Sequence, residues 1–339
     1  MYILLAIFVF GFMIFIHELG HFLFAKKFNV AINEFSIGMG PKIFSKKGKD
    51  GVDYSLRALP IGGFVAMEGE DEESSHPDAF PNKAPWKRFI IVIAGAMMNI
   101  LISVIILFIM TLCTPRFGTT IIYKFDDNAL SDDTGLRIND EIVEINGANV
   151  STSRELSYEI MRSGYQPIEV TVIRDGKRIT LSNVTFPIIS AEGTAFGTPD
   201  FYVYGEERSF SSVLKNTFYT CKSTIKMTWD SIFDLISGRY GIEQVSGPVG
   251  ITGAISDAAK TGAESFFYLV AIIGMNLGVL NLLPIPALDG GTLLLTLIEM
   301  ITKKKLPPRV EGMIRGIGFA LIMLLAIVIL FKDVIFLFK

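Results

Sequence analysis

Ile16-His17-Glu18-Leu19-Gly20-His21-Phe22-Leu23-Phe24 closes an apolar run that starts at the first residue and carries no charge before the motif. The run reads as a helix built for lipid, yet its end carries groups that handle protons and metals. In a helix, residues i and i+4 fall about 40° apart, one turn along. The imidazoles of His17 and His21 then stand side by side on one face, where both can bind a single Zn2+. Glu18 lies beside them, suited to take a proton from water. Ionisable groups at membrane depth are costly and mark functional sites. Three of them within five residues point to a shared partner such as a metal. The competing reading is a pair of histidines that cap a helix end.

Working outward, half of the 339 residues are hydrophobic, too many for an ordinary soluble protein. Three further stretches lack charge: Phe89 to Leu112, Ser265 to Leu288 and Ile317 to Phe331. A bilayer core needs about 20 apolar residues in a helix, and the last stretch reaches that length only with flanking residues. This predicts a polytopic α-helical membrane protein with four transmembrane helices, at about 1–25, 89–112, 265–288 and 313–336. The first run is not expected to be a signal peptide, because it has no basic n-region and no small-x-small site before Lys26. The net charge of −3 suggests no nucleic-acid partner. Cys113 and Cys221 form neither a disulfide framework nor a Cys-x-x-Cys metal site.

Lys26 and Lys27, Lys87 and Arg88, and Lys303, Lys304, Lys305, Arg309 and Arg315 border the spans. All three clusters fall on one side if the chain enters from outside, the orientation that the positive-inside rule favours. Both termini and the segment from Cys113 to Glu264 are then expected outside the plasma membrane. The His-Glu motif is expected near its cytoplasmic face.

Phe28 to Lys87 is expected as a cytoplasmic-side loop. Val52 to Leu59 and Gly63 to Met67 read as strands joined by the turn Pro60-Ile61-Gly62, a membrane-associated β-hairpin at about 50–68. Glu68 to Asp78 is acidic and reads as solvated. Residues 115–187 read as a small extracytoplasmic α+β domain. It has a strand between Gly135 and the Asn146-Gly147 turn, a helix over Ser153 to Ser163, and strands either side of the hairpin turn Asp175-Gly176. Ser190 to Ser209 reads as a linker. An amphipathic helix follows at about 212–237, its apolar residues recurring every three or four positions from Leu214 to Ile236. It either lies on the outer membrane surface or packs on the β domain. Gly238 to Gly253 is a Gly-rich approach to the third span.

A catalytic zinc usually takes three protein ligands and keeps one position open. The soluble extension His-x-x-Gly-x-x-His is absent, since Phe24 and Lys27 occupy those places. His76 sits in the acidic loop and is a poor candidate. Asp289 is a better one. It ends Asn281-Leu-Leu-Pro284-Ile-Pro286-Ala-Leu-Asp289 and is the first charge after the long uncharged third span, where ionisable groups are functional candidates. Its competing role is an N-cap for a helix over Gly290 to Ile301. Pro284 and Pro286 break the helix and free backbone groups there, which would let water or an extended peptide approach. Asn281 suits a hydrogen bond to such a peptide, or plain helix–helix packing.

These residues together resemble the site-2 protease family of intramembrane zinc metalloproteases, in the bacterial regulator-of-sigma-E protease branch with one PDZ domain. The resemblance covers nearly the whole chain: the His-Glu motif, Phe35-Ser36-Ile37-Gly38-Met39-Gly40-Pro41, Gly62-Gly63-Phe64-Val65, and the Asn281 to Gly290 segment. It implies that His17, His21 and Asp289 hold Zn2+, that Glu18 is the base, and that Asn281 helps hold substrate. It implies that the hairpin with Gly62, Gly63, Phe64 and Val65 offers an edge strand to an unwound substrate helix by β-addition. It further implies that 115–187 is a PDZ-like domain that filters or docks substrates. Those substrates would be single-span membrane proteins, anti-sigma factors or remnant signal peptides, already trimmed by a first protease. Ala96 departs from the pattern, standing after Gly95 where the family commonly has proline. Two other classes fit less well. A scaffold with a structural metal needs no Glu beside the histidines, and a transporter would show an inverted repeat.

Overall fold

Long apolar sequence without internal proline produces long helices. The computed structural model describes residues 2–70, 74–191, 194–239, 241, 243 and 245–337. Parts of the acidic loop (71–73), of the expected linker (192 and 193) and of the Gly-rich approach (240, 242 and 244) lie outside the described residues. The chain divides into two units, Met1–Ile106 with Val245–Lys339, and Leu107–Gln244.

In the first unit, α1 spans Tyr2–Lys27 and ends on Lys26 and Lys27, cations that suit the negative end of a helix dipole. It is followed by β1 (Ile32–Lys47) and β2 (Asp53–Met67), then by α2 (Pro85–Cys113). The unit resumes with α6 (Pro248–Thr261), α7 (Ala263–Asn281), α8 (Asp289–Thr302) and α9 (Pro308–Leu337). By length and composition α1, α2, α7 and α9 can each cross a membrane. Helix α6 was not anticipated within the Gly-rich approach. The third span is shorter than the sequence suggested: its helix stops at Asn281, and α8 starts at Asp289 after an intervening turn.

Two apolar clusters tie these helices together. Ala6, Val9 and Met13 of α1 pack with Ile255 of α6 and Val270 of α7. Lower on α1, Phe22 and Ala25 pack with Phe35, Val65, Ile91 and Leu293. Lipid is as apolar as these side chains, so close packing rather than escape from water stabilises the contacts. Outward-facing Phe319, Leu321, Leu324 and Phe331 of α9 stay exposed, as lipid-facing residues would.

The sheet corrects the expected hairpin. Val52–Leu59 and Gly63–Met67 do not pair with each other; both flank β1. Phe35 faces Tyr54 on one side and Val65 on the other, and Ser36 faces Ser55 and Phe64. The later half of β1 then pairs again with the start of β2, Phe44 with Leu56 and Lys46 with Tyr54. Gly38 and Gly40, at φ 84° and 85°, bend β1 so that one strand can serve both partners. Lys26 donates to Asp50 at 2.6 Å and the Tyr54 hydroxyl donates to it at 2.8 Å. These two bonds hold the Asp50 carboxyl at about 2 and tie the turn between the strands to the end of α1.

The second unit carries β3 (Arg116–Phe125), α3 (Leu130–Asp133), β4 (Glu141–Ile145), β5 (Ala148–Asn149) and α4 (Ser153–Ser163). They are followed by β6 (Ile168–Arg174), β7 (Lys177–Val184), β8 (Ile188–Ala191), β9 (Thr194–Gly197), β10 (Phe201–Glu207) and α5 (Phe210–Ile236). The main sheet has the order β10-β3-β4-β6-β7, with β5 on β4. The domain therefore extends past residue 187. The stretch expected as a linker holds β9 and β10, and β10 pairs antiparallel with β3. Ile122, Leu136, Ile142, Leu156, Ile160 and Val172 form its core. Asp140 is fully buried and accepts from Arg174 Nε and Nη2, both at 2.7 Å. Breaking such a buried pair on one side typically costs about 3–5 kcal/mol.

Helix α5 packs on α4 through charges: Lys226 with Glu159, Arg162 with Asp234, and the Tyr158 hydroxyl with Asp230. Its apolar stripe, including Leu214, Phe218, Trp229 and Phe233, stays exposed. The polar face, not the apolar one, makes the contact with the β domain.

Candidate metal centre

The helical repeat of α1 brings His17 Nε2 to 3.1 Å from His21 Nε2. Asp289 Oδ2 lies 3.1 Å from the first and 3.4 Å from the second. Four-coordinate zinc with bonds of about 2.0 Å has ligand–ligand edges of about 3.3 Å, which these three separations match. Asp289 Oδ2 is buried yet accepts no hydrogen bond, although both imidazole nitrogens are near. The three atoms lie close enough together to hold one shared cation. Among the described residues this is the one such cluster of three. His21 Nδ1 donates to the Ile91 carbonyl at 2.9 Å, which leaves Nε2 with the lone pair a metal needs. His17 Nδ1 lies 3.5 Å from the Asn281 side-chain amide.

Asp289 reaches the histidines because the chain turns back on itself. The turn after Asn281 contains Pro284 and Pro286, and Ala287 takes φ 77°, a left-handed conformation rare for alanine. A Cβ on Gly290 would fall 1.9 Å from the Leu283 carbonyl oxygen, so only glycine lets α8 start this close. The N-cap of α8 is Leu288, without a side-chain cap. Asp289 is the first residue of the helix, and its carboxylate is turned to the histidines.

The sheet supplies the next contact. The Val65 amide donates to Glu18 Oε2 at 3.2 Å, and a Cβ placed on Gly63 would lie 3.8 Å from Glu18 Cγ. Gly62, at φ 82°, packs against Met39 rather than the cluster. The Phe64 ring lies under the Arg57 guanidinium at 4.9 Å. Of the four hairpin residues named from the sequence, Gly63 and Val65 adjoin Glu18. His76 stays in its loop, where Nδ1 accepts from the Asp78 amide.

Two contributors were missed by sequence reasoning. The Ile91 carbonyl is backbone and has no sequence signal. Gly95 has one, a small residue within the bulky second span. A Cβ there would fall 2.3 Å from His21 Nε2 and 2.9 Å from His17 Cε1, so Gly95 makes room for both rings. Gly95→Ala should raise helix propensity by about 1 kcal/mol while displacing both imidazoles. We expect metal affinity to fall about 10–100-fold, as for loss of a supporting contact. Metal titration checks this, and unchanged affinity would mean the rings do not need the space.

The chain matches Peptidase family M50 over residues 5–325. It is 37% identical to the "Putative zinc metalloprotease" of Clostridium acetobutylicum, over 98% of this chain and 97% of the relative. It is 30% identical to the zinc metalloprotease RasP of Shouchella clausii, over 98% of each. It is 28% identical to the regulator of sigma-W protease RasP of Bacillus subtilis, over 97% of each.

Proposed function

The chain belongs to peptidase family M50, and from that membership we propose that it is an intramembrane zinc endopeptidase that cuts single-span membrane proteins. The observation that carries this reading is the convergence of His17, His21 and Asp289 beside Glu18, on a helix apolar enough to cross a membrane. His17, His21 and Asp289 would hold the zinc, which would supply Lewis acidity to activate water and polarise a carbonyl. Glu18 takes the proton of the attacking water and returns it to the amine as the peptide bond breaks. Asn281, beside His17, holds the substrate backbone. The edge of β2 around Gly62 to Val65, where the Val65 amide now holds Glu18, takes up an unwound substrate as an added strand.

The domain that includes residues 115–187 acts in this reading as a PDZ-like, extracytoplasmic filter or dock. Both termini lie on its side of the plasma membrane, and the site lies toward the cytoplasm, in keeping with the basic clusters beside the spans. Substrates are anti-sigma factors or remnant signal peptides left by a first cleavage. The sigma-W regulator name of the Bacillus subtilis relative supports the first class.

The test is cleavage of a single-span reporter by the purified full chain in a bilayer. Cutting within the span should stop on chelation and return with added zinc. Cleavage indifferent to the chelator would overturn the reading.

A further inference from the structure

The sheet carries a groove that the proposed catalysis leaves unused. Phe44, Leu56 and Ile37 form one cross-strand row, and Lys46, Tyr54 and Phe35 form the next. Phe15 of α1 closes over them, its ring 5.9 Å from that of Phe35. Together these side chains line a largely apolar cavity of about 660 Å3, within the usual range of about 300–1,000 Å3 for ligand sites. Ile37, Phe44 and Leu56 remain exposed in it.

The mouth of the groove is cationic. Lys46, Lys47 and Lys49 line it and are all exposed. Nearby Lys26 and Lys42 are neutralised by Asp50 and Glu34. Among the described residues, Lys46, Lys47 and Lys49 have no acidic partner within salt-bridge distance. The turn that carries Lys49 and follows Lys46 and Lys47 is held to the end of α1 through Lys26 and Asp50, at the basic end of that span. Basic clusters just beyond a span attract anionic headgroups.

An apolar slot with three free cations at its mouth has the complement of an amphiphile with a negative head. We propose that this groove binds one anionic phospholipid of the cytoplasmic leaflet, its phosphate on Lys46, Lys47 and Lys49 and an acyl chain along Phe15, Ile37, Phe44 and Leu56. A zwitterionic lipid brings no net negative charge to offset the lysines, and a free phosphate would leave the slot unfilled. The site depends on α1 being a span with its Lys26 end toward the cytoplasm. It does not depend on peptidase chemistry.

The test uses the purified full chain in micelles with phosphatidylglycerol and phosphatidylcholine, and native mass spectrometry to count retained lipid. One phosphatidylglycerol should be kept in preference to phosphatidylcholine. Each lysine near an anionic surface is worth about fivefold in affinity, so the combined Lys46→Gln, Lys47→Gln and Lys49→Gln variant should bind about a hundredfold more weakly. Leu56→Trp fills the slot without changing charge and should also weaken retention. Glycerol phosphate, a headgroup without chains, should not compete. Equal retention of both lipids, or undiminished retention by either variant, overturns the proposal. Displacement by poly-glutamate but not by added phosphatidylglycerol would overturn it in favour of an acidic peptide. Zinc content, measured on the same samples, reports the catalytic cluster separately, so loss of the lipid site with zinc retained leaves the peptidase reading standing.

Discussion

Glu18→Gln will keep zinc and lose cleavage, by about 10²–10⁴-fold, the usual range for a positioned general base. Glutamine has the shape of glutamate, and its amide oxygen can still accept from the Val65 amide, which now donates to Glu18 Oε2 at 3.2 Å. The substitution removes the proton acceptor and little else. His17, His21 and Asp289 are untouched, so zinc measured by elemental analysis should remain at one per chain. The combination is diagnostic. A variant that loses both metal and activity would make Glu18 a ligand or a structural residue. A variant that cleaves the single-span reporter at the wild-type rate would remove Glu18 from the chemistry altogether.

Asp289→Asn should act on the opposite quantity. The side chain keeps its size but loses its charge, and a neutral amide is not among the usual zinc donors. Two histidines 3.1 Å apart then remain. Losing an outer-shell partner typically costs about 10–100-fold in metal affinity, and losing a direct ligand should cost more than about 100-fold. Activity should fall in step with occupancy and recover partly at high zinc, which Glu18→Gln should not do. Zinc competition with a chelator of known affinity measures the shift. Full affinity in Asp289→Asn would mean that the third ligand lies elsewhere.

The parts legible in the sequence were those written locally. Uncharged runs reported four long helices, and the i, i+4 spacing of His17 and His21 reported a shared face on α1. Asp289 was legible because a lone charge after a long apolar stretch stands out. Its position close to α1 depends on the turn after Asn281 and on Gly290, features that sequence suggests but does not orient. Pairings between distant segments were illegible. Strand β10 has the alternation of a short strand, but only its register with β3 makes it part of the domain rather than a linker. Gly38 and Gly40 lie in a segment expected as a loop, and they bend a strand that serves both halves of β2. Gly95 is visible in sequence only as a small residue in a bulky span, and its distance to the imidazoles reveals its part.

The contact between Val65 and Glu18 has a further consequence. The strand proposed to receive an unwound substrate is also the strand whose amide orients the base. Occupancy of the strand and placement of the base are then two ends of one equilibrium, and linkage requires the influence to be reciprocal. In the proposed binding mode a polypeptide on β2 and the Glu18 carboxylate meet at the same Val65 amide, so each alters the hold of the other.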